Sequence, residues 1–300
     1  MSIRILDIGA YERAPAGAIV PRMQTSTPVS AARAAGLAAV ASLAVASLGS
    51  LTWGPLLVAN LRLSPAVPWA VPAEAVALAL IWLFLGGRGW PRRTSAARRD
   101  LLRARVVAPR AFAWAAIAGG LSLAALSGLW IVLVRLTGAG GNPTLPSTAR
   151  YPVLTVALVI AMGSLVSPLT EEAAFRGYGQ VLLERRFRPA AAVVLSSLLF
   201  ALYHGPTQGF APSKVLFYLV VGVVFGTTAL MTRSVLPALP VHVAGDVLFF
   251  TLIWPFDAAR PLVWTHGADA WFWLNCAQVA LFGALAVAAF GRLRRASSSG

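Results

Sequence analysis

The chain has 300 residues, of which 58% are hydrophobic and 12% are charged, and its formal net charge is +15. Soluble domains carry about a quarter charged residues, so this composition excludes an ordinary soluble protein. Apolar runs of about 20 residues recur along the chain, and each is long enough to cross the hydrocarbon core of a bilayer. The positive charge lies in short segments between these runs, which indicates membrane orientation rather than nucleic-acid binding.

The chain divides into four regions. Residues 1–32 contain Pro, Ser and Thr and lack the apolar stretch of a signal peptide, so we expect a flexible cytoplasmic tail. Residues 33–150 hold the first transmembrane helices with a basic loop at 88–110, residues 151–291 hold the remaining helices, and residues 292–300 form a basic tail. The predicted fold is an all-α, polytopic membrane protein with about eight transmembrane helices. The predicted spans are 34–60, 66–87, 111–134, 151–183, 189–204, 214–232, 236–254 and 270–291.

Basic residues sort mainly to one side when eight spans are drawn. Both termini then share a side with the arginines of the loop 88–110, and the positive-inside rule makes that side cytoplasmic. Only one of the 25 basic residues is Lys, a bias typical of GC-rich genomes, so we expect a bacterial cytoplasmic membrane, which is the plasma membrane of such a cell. The basic residues predicted on the opposite side are Arg62, Arg135, Arg150, Lys214 and Arg260.

Four acidic residues lie where hydrocarbon should exclude them. Glu74, Glu171, Glu172 and Asp246 fall within apolar segments, whereas the other acids lie in tails, in loops or at span ends. A carboxylate near the bilayer centre costs at least ~2.5–3.5 kcal/mol on insertion scales, so such a residue usually faces a polar interior and has a function. Glu74 lies outside every motif described below, and we predict no role for it.

Two of these acids belong to the segment 170–177. On a helix, Glu172 and Arg176 are four residues apart and share a face, with the glutamate first, as such pairs prefer. Glu171 is rotated by about 100° from Glu172. The arginine can therefore neutralise one carboxylate while the other faces a cavity. A buried ion-pair network that only packs two helices is the alternative interpretation of these three residues.

Two histidines are predicted at a similar depth in the membrane. His204 closes the fifth span four residues after Phe200, and His242 lies in the seventh span four residues before Asp246, on the same helix face. Measured from the predicted cytoplasmic ends of the spans at 1.5 Å per residue, these side chains and that of Glu171 converge on one layer. We therefore expect one pocket formed by Glu171, His204, His242 and Asp246.

Three short motifs, in this order and on separate helices, resemble those of the CPBP family of intramembrane proteases. That family unites CAAX prenyl endopeptidases with bacteriocin-processing proteins and is also called the Abi family. The motifs are EExxxR at 171–176, FxxxH at 200–204 and HxxxN/D at 242–246. The resemblance covers about residues 151–254 and makes 151–291 the catalytic core.

The resemblance implies a membrane-embedded, glutamic-type endopeptidase that needs no cofactor and no covalent nucleophile. Glu171, assisted by His204, would deprotonate a water that attacks the scissile carbonyl. His242 would stabilise the oxyanion of the tetrahedral intermediate. Asp246, where the family often has Asn, would either donate a hydrogen bond as a neutral acid or orient His242 as its acceptor, and we expect the second. The supporting residues are Glu172, Arg176 and Phe200.

Two other functions fit the same residues. A zinc-dependent intramembrane metalloprotease is the alternative enzyme, because Glu171, His204 and His242 match a catalytic zinc set with one open position. No HExxH motif is present, so three helices would have to supply those ligands. A non-enzymatic scaffold, immunity protein or transporter subunit is the third interpretation, and the GxxxG packing motif at 222–226 is compatible with all of them.

The expected partners follow from the membrane location. We expect the substrate to be a membrane protein or peptide, with or without a lipid modification, and nothing in the sequence indicates a prenyl-binding feature. The basic loop 88–110 predicts either contact with anionic lipid or simple anchoring of the topology. We expect no nucleic-acid partner.

Overall fold

The computed structural model describes residues 30–141 and 151–298, so most of the predicted N-terminal tail lies outside the described residues. Within these ranges every regular element is a helix and there is no strand, which confirms the all-α prediction. Short helical turns at Arg92–Thr94 and Val263–His266 join longer elements. The longer helices are α1 Ala31–Leu63, α2 Ala70–Leu85, α3 Ser95–Leu102, α4 Pro109–Thr137, α5 Val153–Glu184, α6 Pro189–Gln208, α7 Pro212–Thr232, α8 Leu239–Ala259 and α9 Ala270–Ser298.

Seven of these helices are long and apolar enough to cross a membrane, which confirms a polytopic membrane protein. The predicted span 66–87 is the exception, since α2 has 16 residues and is about 24 Å long at 1.5 Å per residue. Helix α2 nevertheless contacts the rest of the bundle at both of its ends. The backbone N–H of Ala70 donates to Asn60 Oδ1 near the end of α1 (2.8 Å), and the carbonyl of Leu85 accepts from the Tyr178 hydroxyl (3.2 Å).

The outer faces of the bundle are apolar. Val40, Leu80 and Val287 are 68%, 61% and 73% exposed, and each lies on a different helix. Large exposed apolar side chains on many helices are unfavourable in water but match a hydrocarbon surround. These faces are therefore the lipid-facing surface of the protein.

Ion pairs hold each end of the bundle. Arg103 pairs with Glu184 at the end of α5, and the Arg103 carbonyl accepts from the N–H of Val235 (3.1 Å). At the other end Arg135 donates to Asp269 (2.5 Å), and this hydrogen bond lowers the pKa of that carboxyl below its ordinary value. At each end, the residues in contact are ones that the predicted topology places on the same side of the membrane. Which end faces the cytoplasm stays a prediction.

The basic loop 88–110 divides into two kinds of arginine. Arg98 is buried, donates to the carbonyl of Arg88 (3.0 Å) and lies 4.2 Å above the ring of Phe84. Arg103 is buried as well. These two side chains hold the loop against the bundle, so contact with anionic lipid stays a prediction for the exposed arginines only. The exposed ones are Arg88, Arg92, Arg93, Arg99, Arg105 and Arg110.

The glycine pair of α7 packs helices within the chain. A Cβ on Gly222 would lie 2.6 Å from the Cβ of Ser197 on α6, so only glycine permits this approach. The carbonyl of Gly226 accepts a hydrogen bond from the Gln180 side chain on α5 (3.1 Å). The motif at 222–226 thus brings α7 against the two helices that carry the first two sequence motifs.

The C-terminal end differs from the prediction. The last span was expected to end at 291 and to give way to a basic tail, whereas α9 continues to Ser298. Arginine is a good helix former, and its long side chain can extend from a helix end toward water, so the basic residues there do not end the helix.

Candidate active site

A change in helical geometry positions the two adjacent glutamates. Helix α5 is α-helical from Val153 to Glu171, despite Pro168 within it, and π-helical from Glu172 to Gly179. π-Helical segments are rare in proteins overall, but those that occur are often found at functional sites. Glu171 and Glu172 lie on either side of this change and face different neighbours. Glu171 faces both His204 and His242. Glu172 contacts His242 from its other side and also contacts Arg176.

Glu171 lies between the side chains of α6 and α8 and is 6% exposed. Its Oε1 accepts a hydrogen bond from Ser167 Oγ (2.8 Å) and lies 3.8 Å from His204 Nε2. Its Oε2 lies 3.8 Å from His242 Nε2. The two imidazoles therefore approach opposite oxygens of one carboxylate.

The orientation of His204 fixes which nitrogen carries its proton. Nδ1 lies 2.9 Å from the backbone carbonyl of Phe200, and because a carbonyl only accepts, Nδ1 is the donor. In the neutral ring, Nε2 is then an acceptor that faces the Glu171 carboxylate. The imidazole stacks on the ring of Tyr218, with centroids 4.0 Å apart and an interplanar angle of 18°.

His242 is held by Glu172 rather than by Asp246. Its Nδ1 lies 3.0 Å from Glu172 Oε1, within hydrogen-bond distance. Asp246 Oδ1 lies 3.8 Å from Nε2, which is outside that distance. The expectation that Asp246 orients His242 is therefore corrected, because the four-residue spacing on α8 brings this carboxylate to Nε2 and leaves Nδ1 to α5. The ring also stacks on Phe225, with centroids 4.6 Å apart.

Glu172 and Arg176 form the expected pair beneath the histidines. Their side chains are 0% and 1% exposed, and the closest nitrogen and oxygen are 3.4 Å apart. The guanidinium carbon of Arg176 lies 4.1 Å from the ring centre of Phe200 and 5.5 Å from that of Phe225, in cation–π contact. Phe200 thus supports the site through its ring as well as through its carbonyl.

A cavity of about 840 Å³ opens on this cluster, and all four predicted catalytic residues line it. Within the described part of the chain, four buried oxygens of this lining have no hydrogen-bond partner: Glu171 Oε2, Gln208 Oε1, Asp246 Oδ2 and the Tyr218 hydroxyl. Such atoms are costly in an apolar interior unless something binds them. A second cavity, of about 1290 Å³, is also lined by Glu171.

The zinc alternative gains no support from this geometry. Among residues 30–141 and 151–298, no three or more His, Cys, Asp or Glu side chains are arranged to hold a metal ion. Zinc binding by Glu171, His204 and His242 stays an alternative prediction. Glu74, the fourth intramembrane acid, is fully buried on α2, accepts from Thr52 Oγ1 (2.9 Å) and lines neither cavity.

Sequence reasoning missed three residues of the site. Ser167 lies four residues before Glu171, and this spacing was a usable signal for their hydrogen bond. Tyr218 and Phe225 are seven residues apart on one face of α7 and stack on the two histidines. An aromatic pair at helical spacing is indistinguishable in sequence from ordinary core packing.

Comparison with known families agrees with the three motifs. Residues 153–248 match the family model described as type II CAAX prenyl endopeptidase Rce1-like, and this range contains all three motifs. No curated protein and no solved structure matches the chain. This match agrees with the resemblance of the three motifs to the CPBP family of intramembrane proteases.

Proposed function

We propose that the protein is an intramembrane endopeptidase in which Glu171 and His204 activate the water that hydrolyses the peptide bond. The observation that carries this proposal is the pair of acceptors facing each other across 3.8 Å, His204 Nε2 and Glu171 Oε1. Two acceptors cannot hydrogen-bond to each other, but one water molecule can donate to both from beside the line that joins them. That water would be polarised for deprotonation.

Hydrolysis follows from these groups without a covalent intermediate. Glu171 takes a proton from the water while the hydroxide oxygen bonds to the scissile carbonyl carbon. The tetrahedral intermediate then collapses, the C–N bond breaks, and the proton on Glu171 passes to the leaving amine. The products are a carboxylic acid and an amine, so the carboxylate of Glu171 is restored.

The oxyanion of the intermediate would be bound by donors on the other side of the cavity. His242 Nε2 can donate when the ring is protonated, and the carboxyl oxygens of Glu172 and Asp246 lie 3.0 Å from Nδ1 and 3.8 Å from Nε2. The buried hydroxyl of Tyr218 is a second donor with no partner among the described residues. Prearranged donors of this kind stabilise developing negative charge in a low-dielectric site.

The substrate would be a membrane-associated protein or peptide. The cavities lie among lipid-facing helices and are lined largely by apolar side chains, which suits a hydrophobic peptide. The family name points to prenylated CAAX tails as one class to test.

The deciding experiment compares two glutamate variants of the purified protein. We expect Glu171→Gln to lower peptide cleavage by at least about 100-fold, the scale of general-base catalysis, while thermal unfolding stays unchanged. Glu74→Gln is the matched control, since it removes an intramembrane carboxylate outside both cavities and should retain activity. The assay is mass spectrometry of cleavage products from hydrophobic peptides, farnesylated CAAX peptides included.

Two results would contradict the proposal. An unchanged rate for Glu171→Gln would exclude this carboxylate as the base, and it would favour a scaffold. Loss of cleavage on treatment with a chelator, restored by added zinc, would favour the metalloprotease instead.

A further inference from the structure

A buried ammonium group lies in the cavity of about 1290 Å³, away from the catalytic cluster. Lys214, on the first turn of α7, is the only lysine of the chain and is 7% exposed. Its Nζ donates to the backbone carbonyl of Gln208 (2.5 Å), which uses one of the three ammonium donors. The same cavity is lined by Glu171, so one continuous space holds both groups.

The acid nearby is already bound by other donors. Asp257 also lines the cavity, but its Oδ1 accepts from Arg260 Nε (2.9 Å). Its Oδ2 accepts from Trp130 Nε1 (2.8 Å) and from the N–H of Gly141 (2.7 Å). Arg260 therefore balances the charge of Asp257. Asp257 interacts with Lys214 electrostatically, but among the described residues no carboxylate lies within ion-pair distance of Nζ. The segment 142–150 contains no acid, and Asp7 and Glu12 belong to the tail predicted on the opposite side of the membrane.

One wall of this cavity is formed by close contacts between the segment after α4 and helix α8. A Cβ on Gly141 would lie 2.4 Å from Trp254 Cγ, and one on Gly140 would lie 2.9 Å from Asp257 Cβ, so the chain after α4 lies directly against α8. Trp53 and Leu57 of α1 provide an apolar side. The space therefore combines apolar walls, one cation and the carboxylate of Glu171.

We propose that Lys214 binds a carboxylate of the peptide substrate and so fixes which peptide bond reaches Glu171. This inference rests on the proposed function. A buried charge with no carboxylate in direct contact is unfavourable, and a carboxylate ligand would supply both that contact and the missing hydrogen bonds. The carboxylate has two sources, the C-terminus of the peptide or an Asp or Glu side chain within it.

The test measures binding on the Glu171→Gln protein, so that its outcome does not depend on turnover. The probe is a mixture of twelve-residue hydrophobic peptides, prepared as free acids and as C-terminal amides, each with either Asp or Asn at one internal position. Peptides retained on the immobilised protein are quantified by mass spectrometry. Lys214→Met removes the charge, Lys214→Arg keeps it, and Arg62→Gln is the control for an exposed positive charge.

We expect loss of the carboxylate to reduce retention about tenfold or more, the scale of a charge-assisted hydrogen bond. A dependence on the C-terminal acid identifies the first source, and a dependence on Asp identifies the second. The preference should persist in Lys214→Arg and Arg62→Gln and disappear in Lys214→Met. Replacement of a buried charge by an apolar side chain is often neutral for folding, so that variant should remain folded.

Retention that ignores both carboxylates, a preference that survives in Lys214→Met, or no retention of any peptide overturns the inference. Cleavage of the same mixture by the native protein separates this inference from the proposed function. Cleavage without a carboxylate preference leaves the endopeptidase and removes the role of Lys214. Lys214-dependent retention without cleavage by the native protein leaves the anion site and removes the endopeptidase.

Discussion

Helix α5 carries two acidic regions that differ in how fully their oxygens are bound, one at Glu171 and Glu172 and one at Glu184. At the end of the helix, both oxygens of Glu184 are contacted by Arg103. Gln180 Nε2 donates to the same carboxylate (2.9 Å), and Arg233 Nη1 lies 3.4 Å from it. Two arginines thus face one glutamate, and no acceptor of that glutamate is unbound in the described structure.

The region at Glu171 and Glu172 has the opposite balance. Within the described residues, each of these glutamates and Asp246 retains one buried oxygen without a hydrogen-bond partner, and both Nη atoms of Arg176 are unbound as well. Buried polar groups in structural roles are normally satisfied, so the unbound oxygens of Glu171 and Asp246 in one cavity indicate a ligand or a reaction. Glu74 and Glu172 each have one unbound oxygen as well but line neither cavity, so the inference rests on the two carboxylates that do.

Among substitutions in these two regions, Glu172→Gln is expected to have the largest effect on stability and activity. The amide cannot balance the charge of Arg176, and removal of one partner from a buried ion pair costs about 3–5 kcal/mol. An amide nitrogen can also face His242 Nδ1 and force the wrong tautomer, so we expect kcat to fall by about 100-fold or more. Thermal unfolding in detergent and peptide cleavage measure the two effects.

Glu171→Gln is the matched variant for that experiment, because it changes the adjacent residue in the same way. It removes one of three clustered carboxylates, so the free energy of unfolding should stay the same or rise while cleavage is lost. Equal stability of the two variants would show that Glu172 does not hold the helix, and normal cleavage by Glu172→Gln would show that it does not orient His242.

Glu184→Gln tests the region at the end of α5, where the carboxylate oxygens are fully bound. Glu184→Gln should lower the free energy of unfolding by about 3 kcal/mol or more, since Arg103 is 7% exposed in its side chain and would lose its counter-ion. Cleavage per folded molecule should be unchanged, because Glu184 lines neither cavity. A fall in kcat at constant stability would contradict the division into structural and functional regions.

The sequence predicted those features of the site that depend on spacing along one helix. The pairs Glu172–Arg176 and His242–Asp246 follow from the four-residue period, and span lengths together with the positions of the basic residues gave a common depth. The partner of His242 could not be predicted, because Glu172 is 70 residues away and their contact depends on how α5 packs against α8. The π-helical segment was also missed, since it depends on tertiary packing rather than on local propensity.

The smallest expected effect comes from Tyr218→Phe, which tests whether an unbound donor belongs to the reaction. The hydroxyl is buried without a partner among the described residues, whereas the ring stacks on His204 and lines the cavity of about 840 Å³. The variant keeps the ring and removes only the oxygen. Loss of an unsatisfied buried hydroxyl should leave the free energy of unfolding unchanged or raise it by about 1 kcal/mol.

Catalysis should respond in the opposite direction. If the hydroxyl donates to the oxyanion, which exists only after attack, then Tyr218→Phe should lower kcat by about 10- to 100-fold with little change in KM. Tyr218→Leu removes the stacked ring as well and should lower stability, so the two variants separate donation from positioning of His204. If Tyr218→Phe retained full kcat while Tyr218→Leu lost activity, the tyrosine would act by packing alone. The unbound hydroxyl would then be tolerated in the site, and the oxyanion would depend on His242 for its donor.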